Sequence, residues 1–186
     1  MKRIFDLLLA LWAALLLALP ILIVSTLVKL TSKGPALYWS DRVGRGNKIF
    51  KMPKFRSMQV GTPAVATHLL VDPKTHLTRI GSFLRKSSLD ELPQLWSIFK
   101  GEMSFVGPRP ALFNQHDLIE LRTKAGVHDL VPGLTGWAQI NGRDELPITE
   151  KVALDVEYLH RKSLLFDIKI ILMTALRVLK RDNVTH

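Results

Sequence analysis

From Leu7 to Val28 every side chain is apolar except Pro20, Ser25 and Thr26. A run of that length and composition needs an apolar solvent as well as a core, and a bilayer is the natural one. Lys2 and Arg3 precede the run, and Lys29 and Lys33 follow it, so both ends carry the basic residues that resist translocation. Pro20 lies near the middle, where it removes a backbone donor and disfavours helical geometry at Leu19. A helix that enters one leaflet, breaks at Pro20 and returns reconciles the charge with the proline. A kinked single span is the competing reading. A cleaved signal peptide fits less well, because the run exceeds a typical signal core and no A-x-A site precedes Lys33-Gly34-Pro35.

The 186 residues suffice for one domain with a real core, so the anchor, residues 1–33, is expected to pack as one unit with a catalytic domain of 34–186. Lys and Arg total 26 against 16 for Asp and Glu, a net charge of +10 that points to an anionic partner: a phosphorylated substrate, nucleic acid or an anionic membrane. The absence of cysteine excludes disulfides, thiolate nucleophiles and Cys-ligated zinc. The six histidines show no paired ligand spacing.

After the anchor, Ala36 to Arg42 and Ile49 to Arg56 read as strands joined by the Gly- and Asn-rich turn Val43 to Lys48. Arg42, Arg45, Lys48, Lys51, Lys54 and Arg56 crowd this hairpin, facing lipid headgroups or a substrate phosphate. Gln59 to His76 has no clear period and reads as a surface loop. Helices are expected over Ile80 to Lys86, from Ser88 to Phe99, over Asn114 to Ala125, over Thr149 to His160 and over Leu164 to Lys180. The last is an amphipathic candidate for the membrane interface or an ordinary core helix.

The chemistry concentrates in Ser87-Ser88-Leu89-Asp90-Glu91-Leu92-Pro93-Gln94 and Gly101-Glu102-Met103-Ser104-Phe105-Val106-Gly107-Pro108-Arg109-Pro110. Ser88 and Glu91 have the spacing of a capping box, which places Asp90 and Glu91 at a helix start. There the helix dipole lowers carboxylate pKa values, so Asp90 is expected to be ionised, as a nucleophile or metal ligand must be. Plain helix capping explains the same spacing, and Pro93 leaves a cap nearer Asp90 open. Arg85 stands one turn before the pair. Arg109, between two prolines, is held on an extended loop suited to phosphate or to a structural ion pair. Arg143 closes the turn-rich segment Pro132-Gly133-Leu134-Thr135-Gly136-Trp137-Ala138-Gln139-Ile140-Asn141-Gly142-Arg143 as a further anion ligand.

The order of these motifs, from the proline-centred apolar segment through Lys54-Phe55-Arg56-Ser57-Met58 to Arg143, resembles the bacterial sugar transferase family of monotopic phosphoglycosyl transferases in its minimal catalytic form. The resemblance covers nearly the whole chain, with one departure: Leu19 precedes the membrane proline, where the family often has serine. It implies an α+β, mostly helical fold with a re-entrant membrane helix-break-helix, a short β-hairpin and interfacial amphipathic helices. It also implies transfer of a phospho-sugar from a UDP-sugar to polyprenol (undecaprenyl) phosphate at the cytoplasmic face of the bacterial inner membrane, with UMP released. Asp90 would be the nucleophile, Asp90 and Glu91 would hold Mg²⁺ (or Mn²⁺), and Arg85, Arg109, Arg143, Lys54 and Arg56 would contact phosphate. No nucleic acid is implied, and a homodimer stays open. The alternative is a non-catalytic, membrane-anchored basic module that binds acidic lipid or nucleic acid.

Overall fold

The first helix, α1, runs from Lys2 to Thr31 without interruption, with Pro20 inside it. The helix-break-helix expected at Pro20 is therefore absent as a break in the backbone. Proline deletes only the bond to the Leu16 carbonyl, and a long helix of good formers continues past one missing bond. Asp6, Ala10, Val24 and Val28 are buried, with Ala13, Ala14 and Ile21 packed beside them. Those steps of three, four and seven residues define one face along the helix. The other face presents Leu8, Trp12, Leu15, Leu19, Leu22 and Leu30 to the exterior. By length and composition α1 can cross a membrane.

The computed structural model describes residues 1–65, 70, 72–142 and 146–179. Strands β1 (Leu37–Val43) and β2 (Ile49–Phe55) form the expected hairpin, antiparallel with Asp41 opposite Lys51 and Val43 opposite Ile49. Its turn closes through the Gly44 amide on the Lys48 carbonyl at 2.8 Å, with Gly46 at φ 63° and Asn47 at φ 59°, a left-handed pair that these two residue types tolerate. Then follow α2 (Gly81–Ser87), a 3-10 helix (Leu89–Gln94) and α3 (Leu95–Lys100). Strand β3 (Ser104–Val106) leads to α4 (His116–Lys124), and β4 (Gly133–Thr135) to α5 (Trp137–Asn141). Helices α6 (Ile148–Arg161) and α7 (Leu164–Leu179) complete the chain described. The result is mostly helical α+β with small sheets, as expected.

The core is divided, and α1 belongs to two of its parts. Ala10 packs with Phe50, Met52, Leu95, Ile98 and Met103, while Val24 and Val28 pack with Phe55 and Leu84. The remaining clusters join α6 and α7 to β3 and α5, through Tyr158, Phe166 and Ile170 on Val106 and Ile140, and join α4 to α6 through Leu118 and Val152. Polar ties fix both ends of α1. At the start, Lys2 Nζ lies 2.6 Å from Asp167 Oδ2 on α7, the Arg3 guanidinium donates to the Phe99 carbonyl at 2.7 Å, and Asp6 accepts the Phe105 amide at 3.2 Å. Tyr158 Oη meets the other Asp167 oxygen at 2.7 Å, and burial first, then this carboxylate, pushes the phenol pKa up. At the far end Arg56 grips the Ser32 and Lys33 carbonyls.

Strands β3 and β4 pair in parallel, Ser104 beside Gly133 and Val106 beside Thr135, and they cross where only glycine fits. A Cβ on Gly133 would stand 2.1 Å from the Gly107 nitrogen, and one on Gly136 2.1 Å from the Gly107 oxygen, backbone atoms with no rotamer to turn away. This crossing sits directly under Pro108-Arg109-Pro110. Gly133→Ala is expected to destabilise by about 3 kcal/mol, the upper range for overpacking, seen as a lowered melting temperature. A melt unchanged from the parent would contradict the contact geometry.

Candidate active site

The carboxylate pair is set by a junction rather than by a cap. Ser88 ends α2 in the left-handed region at φ 57°, with its amide on the Arg85 carbonyl at 3.3 Å, and its side chain makes no cap bond to the following 3-10 helix. The capping box expected from Ser88 and Glu91 does not form, because the Glu91 carboxylate goes to cations instead. Its Oε1 accepts Lys54 Nζ at 2.8 Å and Arg109 Nη2 at 3.2 Å, charge-assisted bonds that outrank a neutral amide. Burial raises the Glu91 pKa, but Lys54 and Arg109 more than reverse this and hold the carboxyl well below the usual range.

Asp90, next in line, is 7 % exposed and makes no ion pair within 4 Å among the described residues. Burial pushes its pKa above the ordinary carboxylate value; Lys54, Arg85 and Arg109 oppose this, and the Glu91 charge adds to it. The lowered pKa expected from a helix dipole is thus corrected. The element is a short 3-10 turn with little dipole, and desolvation outweighs what remains. Two adjacent carboxylates are therefore differentiated: Glu91 neutralised by cations, Asp90 buried in their field but left with its lone pairs free of them.

Arg109 is positioned by its neighbours' carbonyls. Two flanking prolines offer no N–H, so the loop is held through its oxygens. The Gly133 amide donates to the Pro108 carbonyl at 2.9 Å and the Val43 amide to the Ala111 carbonyl at 2.9 Å. Arg122 Nη1 donates to the Arg109 carbonyl at 2.8 Å, and Arg42 Nη1 to the Pro110 carbonyl at 3.2 Å. The rigid loop read from the prolines is thus anchored from β1, β4 and α4.

Of the cations expected to bind phosphate, the structure brings Lys54, Arg85 and Arg109 to the carboxylate pair. Arg85 also points Nη1 at Met58 Sδ, 3.7 Å away. Arg56 is not among them: 5 % exposed, it holds the end of α1 through Ser32 and Lys33. Arg143 lies outside the described residues. Arg42, expected on the hairpin to face headgroups or phosphate, instead holds the Pro110 carbonyl, and sequence reasoning gave no role to Arg122, Asp155 or Gln94. Gln94 is buried one helical step from Asp90 and lines a crevice with Arg42 and Arg109. Gln94 closes the Asp90-Glu91 motif, which could have signalled it, whereas Arg122 and Asp155 carry no motif signal and acquire their places through tertiary contact. Among the described residues no group of three or more His, Cys, Asp or Glu stands together.

The chain is thus a mostly helical α+β domain packed along one long apolar helix, with a buried carboxylate among three cations. The model of the bacterial sugar transferase family matches residues 1–181, and the chain belongs to that family. It is 42% identical over 186 residues to the UDP-glucose:undecaprenyl-phosphate glucose-1-phosphate transferase of Xanthomonas campestris pv. campestris, covering 96% of this chain and 38% of the relative. It is 41% identical over 195 residues to the undecaprenyl-phosphate glucose phosphotransferase of Komagataeibacter xylinus, covering 98% of this chain and 36% of that protein. With the uncharacterized sugar transferase EpsL of Bacillus subtilis (strain 168) it shares 37% identity over 186 residues, covering 99% and 90% of the two chains. The chain thus spans little more than a third of the first two relatives' length and nearly all of the third's.

Proposed function

We propose that this protein transfers a sugar 1-phosphate from a UDP-sugar to a polyprenol phosphate, as its family and the names of two of its relatives suggest. The observation that carries the chemistry is Asp90: a buried carboxylate within the field of Lys54, Arg85 and Arg109, yet ion-paired to none of them among the described residues. With neither oxygen taken up by a side-chain cation, one can attack while the other remains open to a metal. In the first step an Asp90 oxygen attacks the phosphorus bearing the sugar, the bond from that phosphorus to the bridging oxygen breaks, and UMP departs with the bridging oxygen. In the second, an oxygen of the lipid phosphate attacks the same phosphorus, the acyl phosphate bond breaks, and the Asp90 carboxylate returns. Neither step needs net proton transfer. Arg109 and Lys54, fixed on Glu91, offset the charge that gathers on the diphosphate.

The donor set suits Mg²⁺, which takes one or two carboxylates and leaves its other positions to phosphate oxygens and water. Asp90 and the Glu91 oxygen turned away from Lys54 and Arg109 would hold it, and when bound it would supply Lewis-acid stabilisation of phosphate charge. Activity is expected to vanish in excess chelator and return with Mg²⁺ or Mn²⁺. Glu91→Gln is expected to lower turnover on the order of a hundredfold by releasing Lys54 and Arg109 from their common anchor. Unchanged turnover in chelator rules the metal out.

The placement we propose is monotopic, at the cytoplasmic face of the bacterial inner membrane, with residues 1–33 as anchor to a catalytic unit of 34–186. Its support is that both ends and the inner face of α1 rest on that unit, while the outer face is apolar and exposed. Leu165, Leu172 and Leu176 give α7 a similar exposed face, suited to the headgroup boundary. The test of function is UMP release across a panel of UDP-sugars with polyprenol phosphate in detergent. A basic lipid- or nucleic-acid-binding module predicts no UMP from any donor, and binding that collapses with salt.

A further inference from the structure

Among the groups that this chemistry does not use, one buried pair has a direct line to the site. Arg122 on α4 and Asp155 on α6 are 8 % and 1 % exposed. Arg122 Nε and Nη2 both donate to Asp155 Oδ2, at 2.9 and 2.6 Å, and its remaining nitrogen, Nη1, donates to the Arg109 carbonyl at 2.8 Å. One guanidinium therefore faces an acid on one side and the catalytic loop on the other. Stability is a poor reason for such a pair, because well-packed apolar residues usually replace a buried ion pair at no loss. What apolar residues cannot do is donate to the Arg109 carbonyl. A lysine at 122 has no planar fork with which to serve both partners in fixed geometry.

We propose that Asp155 and Arg122 are a positioning pair for Arg109: Asp155 orients the Arg122 guanidinium, and Arg122 fixes the loop backbone so that the Arg109 side chain meets Glu91 and the substrate diphosphate. The part concerning substrate rests on the function proposed above. Arg109 Nη2 is already 3.2 Å from Glu91 Oε1, so a small rotation of the loop backbone breaks that contact. Neither Arg122 nor Asp155 needs to touch substrate.

The test uses the full chain in detergent with the paired replacement Arg122→Met/Asp155→Leu, alongside Arg122→Lys. The paired variant is expected to melt no lower than the parent. Its amide hydrogen exchange should rise in the peptide spanning Gly107 to Leu112 and stay unchanged in α4 and α6. With a UDP-sugar its kcat/KM should fall about a hundredfold, the scale for a misplaced positioning group, with KM for the UDP-sugar rising; Arg122→Lys should fall between the two. Local exchange and kcat/KM both at parental values in a well-folded paired variant overturn the proposal. So does loosening spread evenly through α4 and α6, which marks a purely structural pair. Should the paired variant not fold, Arg122→Lys decides by the same readouts. If the parent releases no UMP from any donor, the functional reading fails, and the exchange measurement alone still decides whether the pair holds the loop.

Discussion

Asp90→Asn is expected to abolish UMP release, with a loss on the order of 10⁴-fold or more as for removal of other covalent nucleophiles. The parent, incubated with UDP-sugar and Mg²⁺ but no lipid acceptor, should gain the mass of one sugar phosphate, and the variant should gain none. An adduct persisting in the Asn variant relocates the nucleophile, and full turnover refutes it. The same substitution is expected to leave the protein at least as stable as the parent. Burial holds the Asp90 pKa above its unfolded value, so the folded state binds this proton more tightly than the unfolded chain does. The contribution of this group to stability is then greatest at low pH, below the unfolded value, and is lost as pH rises through the raised folded value. At neutral pH the ionised carboxylate is a cost, and a neutral amide of the same shape removes it. A lowered melt with lost activity would instead mean that Asp90 holds the fold.

The raised pKa has a direct reading in the metal-free protein. In excess chelator the Asp90 carboxyl should titrate above the ordinary carboxylate range, while Glu91, held low by Lys54 and Arg109, stays charged, as followed by carboxyl carbon NMR. Glu91→Gln removes a neighbouring negative charge from Asp90 and frees two cations beside it. The Asp90 titration should therefore shift to lower pH in that variant. A titration that moves upward contradicts the ordering of these charges.

The hairpin, the helices α4, α6 and α7 and the acidic pair were legible because each is local: alternation, turn residues and helical period fall within one short stretch of chain. The parallel pairing of β3 with β4 was not, since three-residue strands have no period, and their pairing depends on glycines that let Gly107 and Gly133 touch. The setting of Asp90 was half legible. Its identity stands in the sequence, but the sign of its pKa shift depends on how deeply β2, α2 and the Arg109 loop enclose it. The two hairpin cations Lys54 and Arg56 look alike in sequence, but β2 turns one toward Glu91 and the other toward the end of α1. Arg122 and Asp155 stand 33 residues apart, on helices whose approach no local pattern encodes.

Topology gives the second large effect. Leu7 to Val28 as a straight helix would extend roughly 33 Å at ~1.5 Å per residue, enough for a hydrocarbon core of about 30 Å, so length alone permits spanning. The packing argues otherwise: Asp6 and Val28, near opposite ends of α1, are both buried against the same body of protein, which a span would have to carry into the bilayer. Pro20, at a cost of about 3 kcal/mol in a helix interior, is where α1 bends most easily, with no interruption of its backbone. The chain has no cysteine, so single thiols can be placed cleanly. One is best added ahead of Met1, because Lys2 is committed to Asp167, and the other at Lys33. Both are expected to be protected from an impermeant thiol reagent in intact cells and labelled after permeabilisation. Pro20→Leu should stiffen the helix at that point and expose one end in part of the population, with activity falling in proportion. Labelling of the N-terminal thiol in intact cells, with the thiol at 33 protected and Pro20 in place, would show a simple span.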